Sequence, residues 1–415
     1  MTDQPNIMII GGGVIGLACA HYLIEKKARV TIIERDRAGD GASHGNCGLL
    51  YFSDVTPLCV PGAVGHEIIR TLKGTSPLYI KPTLDPGRLS WLLRFAGNCT
   101  HGHKRKAAKG KFELLSYSDR LYGDLLKSKE LLCDYEAKGV LTVFKNPENF
   151  NGFTATDQFQ QTFGIKSRKI KKQELIEMEP ALGNDVVGAW HTIGDAHLRP
   201  ELLMASWKNA LTKKGVVFEE NCRFLKFNQS CGKVDSINTS KGRFKADAFV
   251  MAAGAWTPST MQQLNLRLPV EPGKGYSITM KPSKDCPVFP LYFYESNAVA
   301  TPWKSACRLG GTMEFSGYDM GLNRIRINKI ISGARQYLKN PLTSPIIEEW
   351  TNLRPMTCDD MPIIDTVPAL DNLIVATGHG MLGLTLATGT GKAVSDLVYG
   401  KKPEIDLSPF SLSRF

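Results

Sequence analysis

Short apolar runs broken by glycines mark both ends of this chain. Near the N-terminus, Ile7–Ile10 runs into three consecutive glycines, after which a longer apolar stretch begins. Four residues are too few for a helix, so the first run reads as a buried strand and Val14–Glu25 as the helix behind it. A second strand, "ARVTIIE", ends at Glu34. The same rhythm returns in "KADAFVMAAGAWTP" (245–258), read as a buried strand Ala248–Ala252 that closes at Gly254. It returns again in "LIVATGHGMLGLTLATGTGKAVSDLV" (373–398), read as a strand, a glycine turn and a helix starting near Leu382. Between these units the pattern changes. Residues 109–138 place Phe112, Leu115, Leu121, Leu125, Leu132 and Tyr135 at helical spacings. Residues 291–303 and 306–315 read as β-type runs with turn signals between them, and 322–339 as a helix. The prediction is an α/β chain, α+β overall, with helices flanking more than one sheet.

The first glycine cluster has the spacing Gly11-x-Gly13-x-x-Gly16, and each glycine has a steric task. Gly11 permits a tight turn, Gly13 lets backbone N–H groups approach a pyrophosphate, and Gly16 lets the helix pack on the strand. The first helical turn, with Val14 and Ile15, then offers unpaired donors and partial positive charge to phosphates. Glu34, with Arg35 behind it, lies eighteen residues beyond Gly16 and suits the hydroxyls of a ribose. An acid there disfavours a 2′-phosphate. Strand, helix, second strand and acid together predict a Rossmann-like dinucleotide site. "GDGASHGNCGLL" (39–50) brings Ser43, Asn46 and Gly48 toward a second part of an extended cofactor, or is a plain turn. Ala253, Gly254, Gly378, Gly380 and Met381, Leu382, Gly383, Leu384 and Thr385 form two further glycine-rich edges. A helix beginning near Leu382 would aim its positive end at the pyrimidine side of a flavin.

Composition narrows the class. Of 415 residues, 42% are hydrophobic and 22% charged, which fits a globular protein. No apolar run reaches the roughly eighteen residues that a bilayer span needs. The N-terminal stretch reads as strand and not as a secretory leader. Ten cysteines without a C-x-x-C pair argue against zinc, or any metal centre, and against a disulfide framework; they suit a cytoplasm. A formal charge of +11 gathers in "HGHKRKAAKGK" (101–111) and "KSRKIKK" (166–172). These stretches are either a solvated face or an attraction to anionic lipid or nucleic acid. No nucleic-acid module accompanies them, which argues against a nucleic-acid-associated flavoprotein.

Seven segments in order resemble the FAD-dependent D-amino-acid oxidase superfamily, and most closely its bacterial D-amino-acid dehydrogenase and D-hydroxyproline dehydrogenase-like members. They are "GGGVIG" with Glu34, "GASHGNCG", "VMAAGAW", "GKGYSI" (273–278), "RLGGTMEFSG" (308–317), "LRPMTCDDMPIID" (353–365) and "VATGHGMLGLTLATGTGK" (375–392). The resemblance implies a discontinuous FAD domain from 1–65, 191–272 and 341–415. A substrate domain on a mixed sheet would come from 66–190 and 273–340. It also implies oxidative deamination of a D-amino acid, with D-proline and hydroxyproline isomers as candidates. Electrons would leave for a quinone chain from an enzyme that is cytoplasmic or peripheral on the inner membrane face. An oxidase of the glycine or sarcosine oxidase type, using oxygen, is the alternative.

That chemistry moves the α-hydrogen as a hydride to the flavin, so no side chain is obliged to act as a base. It does need a carboxylate clamp, for which the planar fork of arginine is best suited. The resemblance places Arg354, in "LRPMT", at that position; a salt bridge with Asp359 or Asp360 is the structural alternative. Tyr276 is a candidate for a phenolic hydrogen bond to the same carboxylate, and His379 for shaping the pocket or tuning the flavin. His44, Lys274 and Glu314 are left open between pocket and surface. Arg354 also matches the position where sarcosine oxidase attaches its flavin, and Cys358 lies four residues on, so non-covalent FAD is expected.

Overall fold

The computed structural model describes residues 4–72, 76–127, 130–341 and 345–415. Six strands form the first sheet, in the order Ile363–Thr366, Leu373–Thr377, Ala248–Met251, Asn6–Ile10, Arg29–Ile33, Val217–Glu219. All neighbours are parallel except the first pair. A parallel sheet is covered on both faces, which is why its strands are continuous apolar runs. Ile7 and Ile9 pack with the helices Val14–Glu25, Pro200–Lys213 and Ala387–Val398. Met8 and Ile10 face the other way, toward Phe227, Val234 and Ile237 of a three-stranded sheet.

The second sheet has nine strands and mixed directions. Its order is Ile346–Thr357, Val270–Met280, Cys307–Phe315, Ala298–Pro302, Leu291–Phe293, Val140–Phe144, Gly188–Thr192, Ser167–Lys171, and Leu78–Ile80 also pairs with Cys307–Phe315. The helix Arg324–Arg335 seats Ile327, Ile330 and Ala334 on one face of it, against Ile278 and Leu309. The fold class agrees with the sequence reading.

Local boundaries differ in four places. The amphipathic helix is His101–Lys127 and not 109–138. Its buried ridge (Ala107, Lys111, Leu114, Ser118, Tyr122, Leu125) lies on the Ala387–Val398 helix, where Gly389 admits the Ser118 hydroxyl. Residues 128–129 are outside the described residues, while Leu132 and Tyr135 are exposed. This helix therefore packs in the core of the six-stranded sheet, although it falls in the 66–190 segment. Conversely, Ile346–Thr357 runs in the nine-stranded sheet, although it falls in 341–415. The C-terminal helix starts at Ala387, because Leu382–Leu386 is a turn tied to the Tyr51 N–H through the Thr385 hydroxyl. Finally, within the basic stretches Lys111 is buried against Asp360, Arg168 pairs with Glu174 and Lys169 lies over Phe150, while Arg105, Lys106, Lys109, Lys171 and Lys172 are exposed.

Candidate active site

A cavity of about 1810 Å³ lies between the two sheets. That exceeds the roughly 300–1,000 Å³ of a site for one small ligand. Gly11, Gly13, Val14, Ile15, Glu34, Arg35, Ser43, Asn46, Ala253 and Gly254 line it from the six-stranded side. Gly380, Met381, Leu382, Gly383, Leu384, His379 and Arg354 complete the wall.

The first glycine loop is built as its spacing requires. Gly11 has φ +115°, and a Cβ there would meet the Ala252 carbonyl oxygen at 2.4 Å. A Cβ on Gly16 would come within 2.0 Å of the Gly11 oxygen, so the helix can sit this close only without a side chain. Gly16 thus supports the turn and does not line the cavity. Gly13 caps the helix without a side-chain bond of its own, and the Val14 N–H donates to the Ser43 hydroxyl at 3.0 Å. The Glu34 carboxylate accepts the Gly12 N–H (2.7 Å) and the Asp36 N–H (3.1 Å). Arg35 stacks on Trp256.

The 39–50 loop is held by a residue the motif reading overlooked. Arg308 is fully buried on Cys307–Phe315 and donates to the carbonyls of His44 (2.9 Å) and Asn46 (2.7 Å) and to the Thr279 hydroxyl (2.9 Å). Glu201 lies 3.2 Å from its other nitrogen. His44 in turn contacts Glu348 at 2.9 Å, and this bond raises its pKa above the ordinary value. Gly48, with φ +75°, docks beside the Leu198 carbonyl. Gly48, Gly378 and Thr385 shape the backbone behind the wall and do not line it.

Arg354 faces the cavity from Ile346–Thr357. Its guanidinium lies flat on Gly275, where a Cβ would stand 2.2 Å from Cζ. It donates to the Thr312 carbonyl at 3.2 Å and has no carboxylate partner among the described residues. The alternative salt bridge is absent because Asp359 pairs with Arg414 (2.7 Å) and Asp360 with Lys111 (3.1 Å). Burial pushes its pKa down, yet an arginine stays charged.

Tyr276 is a correction. Side chains alternate across a strand, so Gly275 faces the cavity while Tyr276 joins Ile278 and Leu309 under the Arg324–Arg335 helix. Its hydroxyl donates to Glu314 at 2.8 Å. Lys274 and Glu314 share that far side, 3.9 Å apart and buried. His379 does line the cavity, with Nε2 2.9 Å from the Thr390 hydroxyl. Burial lowers its pKa to about 3, so the ring is neutral.

The family model described as DAO, FAD dependent oxidoreductase, matches residues 6–397. The chain belongs to this family. It is 29% identical over 420 residues to D-amino acid dehydrogenase of Neisseria meningitidis serogroup C, and 31% identical over 422 residues to that of Methylobacterium radiotolerans; each match covers 99% of both chains. In fold it resembles glycine oxidase from Geobacillus kaustophilus (TM-score 0.76, 23% identity, 100% of both chains). It also resembles L-proline dehydrogenase from P. horikoshii (TM-score 0.77, 18% identity, 100% of this chain and 98% of that one).

The residues present fit FAD. A Cβ on Gly13 would meet only the Ser43 hydroxyl at 3.5 Å, and one on Gly254 would meet nothing within 4 Å, which leaves room for a ligand against both backbones. When bound, FAD supplies a two-electron acceptor. The Gly11–Ile15 backbone and Ser43 would hold its phosphates, Glu34 its ribose, and the 39–50 and 378–384 loops its ring. These loops, together with Arg308, would position the ring, and Arg354 offers a cation for a substrate anion.

The His379 environment makes a pH prediction. The folded state keeps this ring neutral down to about pH 3, whereas the unfolded chain protonates it below its ordinary 6.5. The unfolded state then binds the extra proton, so stability falls as pH drops through that window. Replacing the ring by His379→Gln should flatten the fall in denaturant midpoint between pH 6.5 and 4. Parallel curves for the two proteins would refute the buried neutral ring.

Proposed function

We propose that this enzyme dehydrogenates D-amino acids, with the substrate carboxylate on Arg354 and the electrons delivered to a membrane quinone. One observation carries the reading: a guanidinium in the cavity wall whose neighbouring carboxylates are already paired with other cations. Two charge-assisted bonds from its planar fork fix the carboxylate and therefore the direction of the α-hydrogen. Leu49, Leu384, Met356 and Trp350 make the surrounding wall largely apolar, which keeps water from the reacting face. A neutral His379 adds no second cation that would compete for the anion. The names and full-length coverage of the curated relatives support the D-amino-acid substrate.

Among the described residues no helix is long and apolar enough to cross a membrane. Contact with a lipid-borne acceptor is then peripheral. Attachment of the flavin is non-covalent in this reading. Cys358 is enclosed by Trp91, Phe315 and Met356, off the cavity, which supports it. Acid should precipitate a white protein and leave the colour in solution; a yellow pellet would contradict this.

The kinetic test uses D-amino acids with a soluble quinone analogue. Losing two charged hydrogen bonds costs about 3 kcal/mol, so Arg354→Gln should lower kcat/KM about 100-fold, with Arg354→Lys in between. Unchanged kcat/KM in both variants would reject the clamp, and faster reoxidation by oxygen than by the quinone would favour the oxidase.

A further inference from the structure

The cavity holds a second set of polar groups without partners. Asp54 lines it, and its carboxylate accepts no hydrogen bond among the described residues. Beside it Gln160, 8% exposed, donates Nε2 to the Ser53 carbonyl at 3.1 Å. That bond fixes the amide, and the Oε1 atom is left buried with no donor. Ser53 is itself locked, donating its N–H (2.9 Å) and hydroxyl (2.7 Å) to Asp195. One anchored, buried acceptor, Gln160 Oε1, therefore stands without a donor, and the half-buried Asp54 carboxylate lines the same cavity. Buried acceptors left this way are costly, and a ligand that brings donors relieves the cost.

The charge of this corner points the same way. Lys111 is engaged by Asp360 (3.1 Å) and the Thr56 carbonyl (3.3 Å), and Arg70 donates to the Glu295 carbonyl (2.9 Å). Lys111 is thus shared between two carboxylates, Asp360 and Asp54, and Arg70 is a further cation of this wall. Tyr292, Tyr294 and Phe153 also line the cavity and offer ring faces, which attract cations. A hydroxyl would bring one donor and no charge. An ammonium brings three donors, no acceptor and a positive charge for the Asp54 carboxylate.

We propose that Asp54 and Gln160 form a side-chain subsite that selects amino acids ending in an ammonium or guanidinium group, while Arg354 holds the α-carboxylate. The proposal rests on the amino-acid reading above and names its substrate class. It makes Asp54 a specificity residue, distinct from the clamp.

The test is a steady-state comparison of D-lysine, D-norleucine and D-glutamate, with D-alanine and D-proline as substrates that carry no side-chain charge. The wild type should prefer D-lysine to D-norleucine by about tenfold or more in kcat/KM, mainly through KM. Asp54→Asn should shrink that ratio about tenfold, and Asp54→Lys should move the preference toward D-glutamate. If the Asp54 variants do not fold, Gln160→Glu adds a carboxylate to the same corner and should raise the ratio. A wild-type ratio near one, or a ratio that none of these variants moves, overturns the subsite. Turnover of D-alanine or D-proline with a flat ratio defeats the subsite alone. No turnover of any of the five defeats the amino-acid reading, and the subsite with it.

Discussion

A guanidinium without a counter-ion is the constraint around which this site is organised. Arg354 cannot shed its proton, and its position on the cavity wall removes part of its hydration. Two carboxylates close in sequence would have neutralised it, but Arg414 and Lys111 take both. Gly275 makes the geometry possible, since any side chain there would displace the fork from the strand. The protein thus keeps one cation available for an anion that arrives with the ligand.

Holding that cation at a fixed distance from a cofactor requires the two sheets to be tied together. Gly11 and Gly16 bring the first helix down onto the central parallel strand and aim its N-terminus into the cavity. Arg308 then joins the halves, with its guanidinium rooted in the nine-stranded sheet and bonded to two carbonyls of the 39–50 loop. Its removal would take a donor from those two carbonyls, which is costly. This buried tie links the nine-stranded sheet to the 39–50 loop.

The glycine–strand units were legible because their physics is local: a turn, a helix start and an acid a fixed distance on. The helix Val14–Glu25 follows its pattern residue for residue. Arg354 was found by likeness, and its freedom from Asp359 and Asp360 could be learned only from where Arg414 and Lys111 arrive. Tyr276 was misplaced because an aromatic in a glycine-rich strand says nothing about which face it takes; period two puts it under the Arg324–Arg335 helix. The long helix began earlier than its leucines suggested because its first two turns are polar and bury only the small Ala107 and Ala108. Arg308 lay in a recognised segment without its role being legible, and Asp54 and Gln160 carried no signal, since all three roles come from long-range packing.

The most direct test of the central claim is titration of the purified flavoprotein with a non-reactive carboxylate, followed by the visible absorption of its flavin. An anion drawn to Arg354 lies against the ring, so the wild type should show a saturable spectral change that Arg354→Gln loses while keeping its colour. A colourless protein that free FAD does not restore, or equal affinity in both forms, would contradict the account.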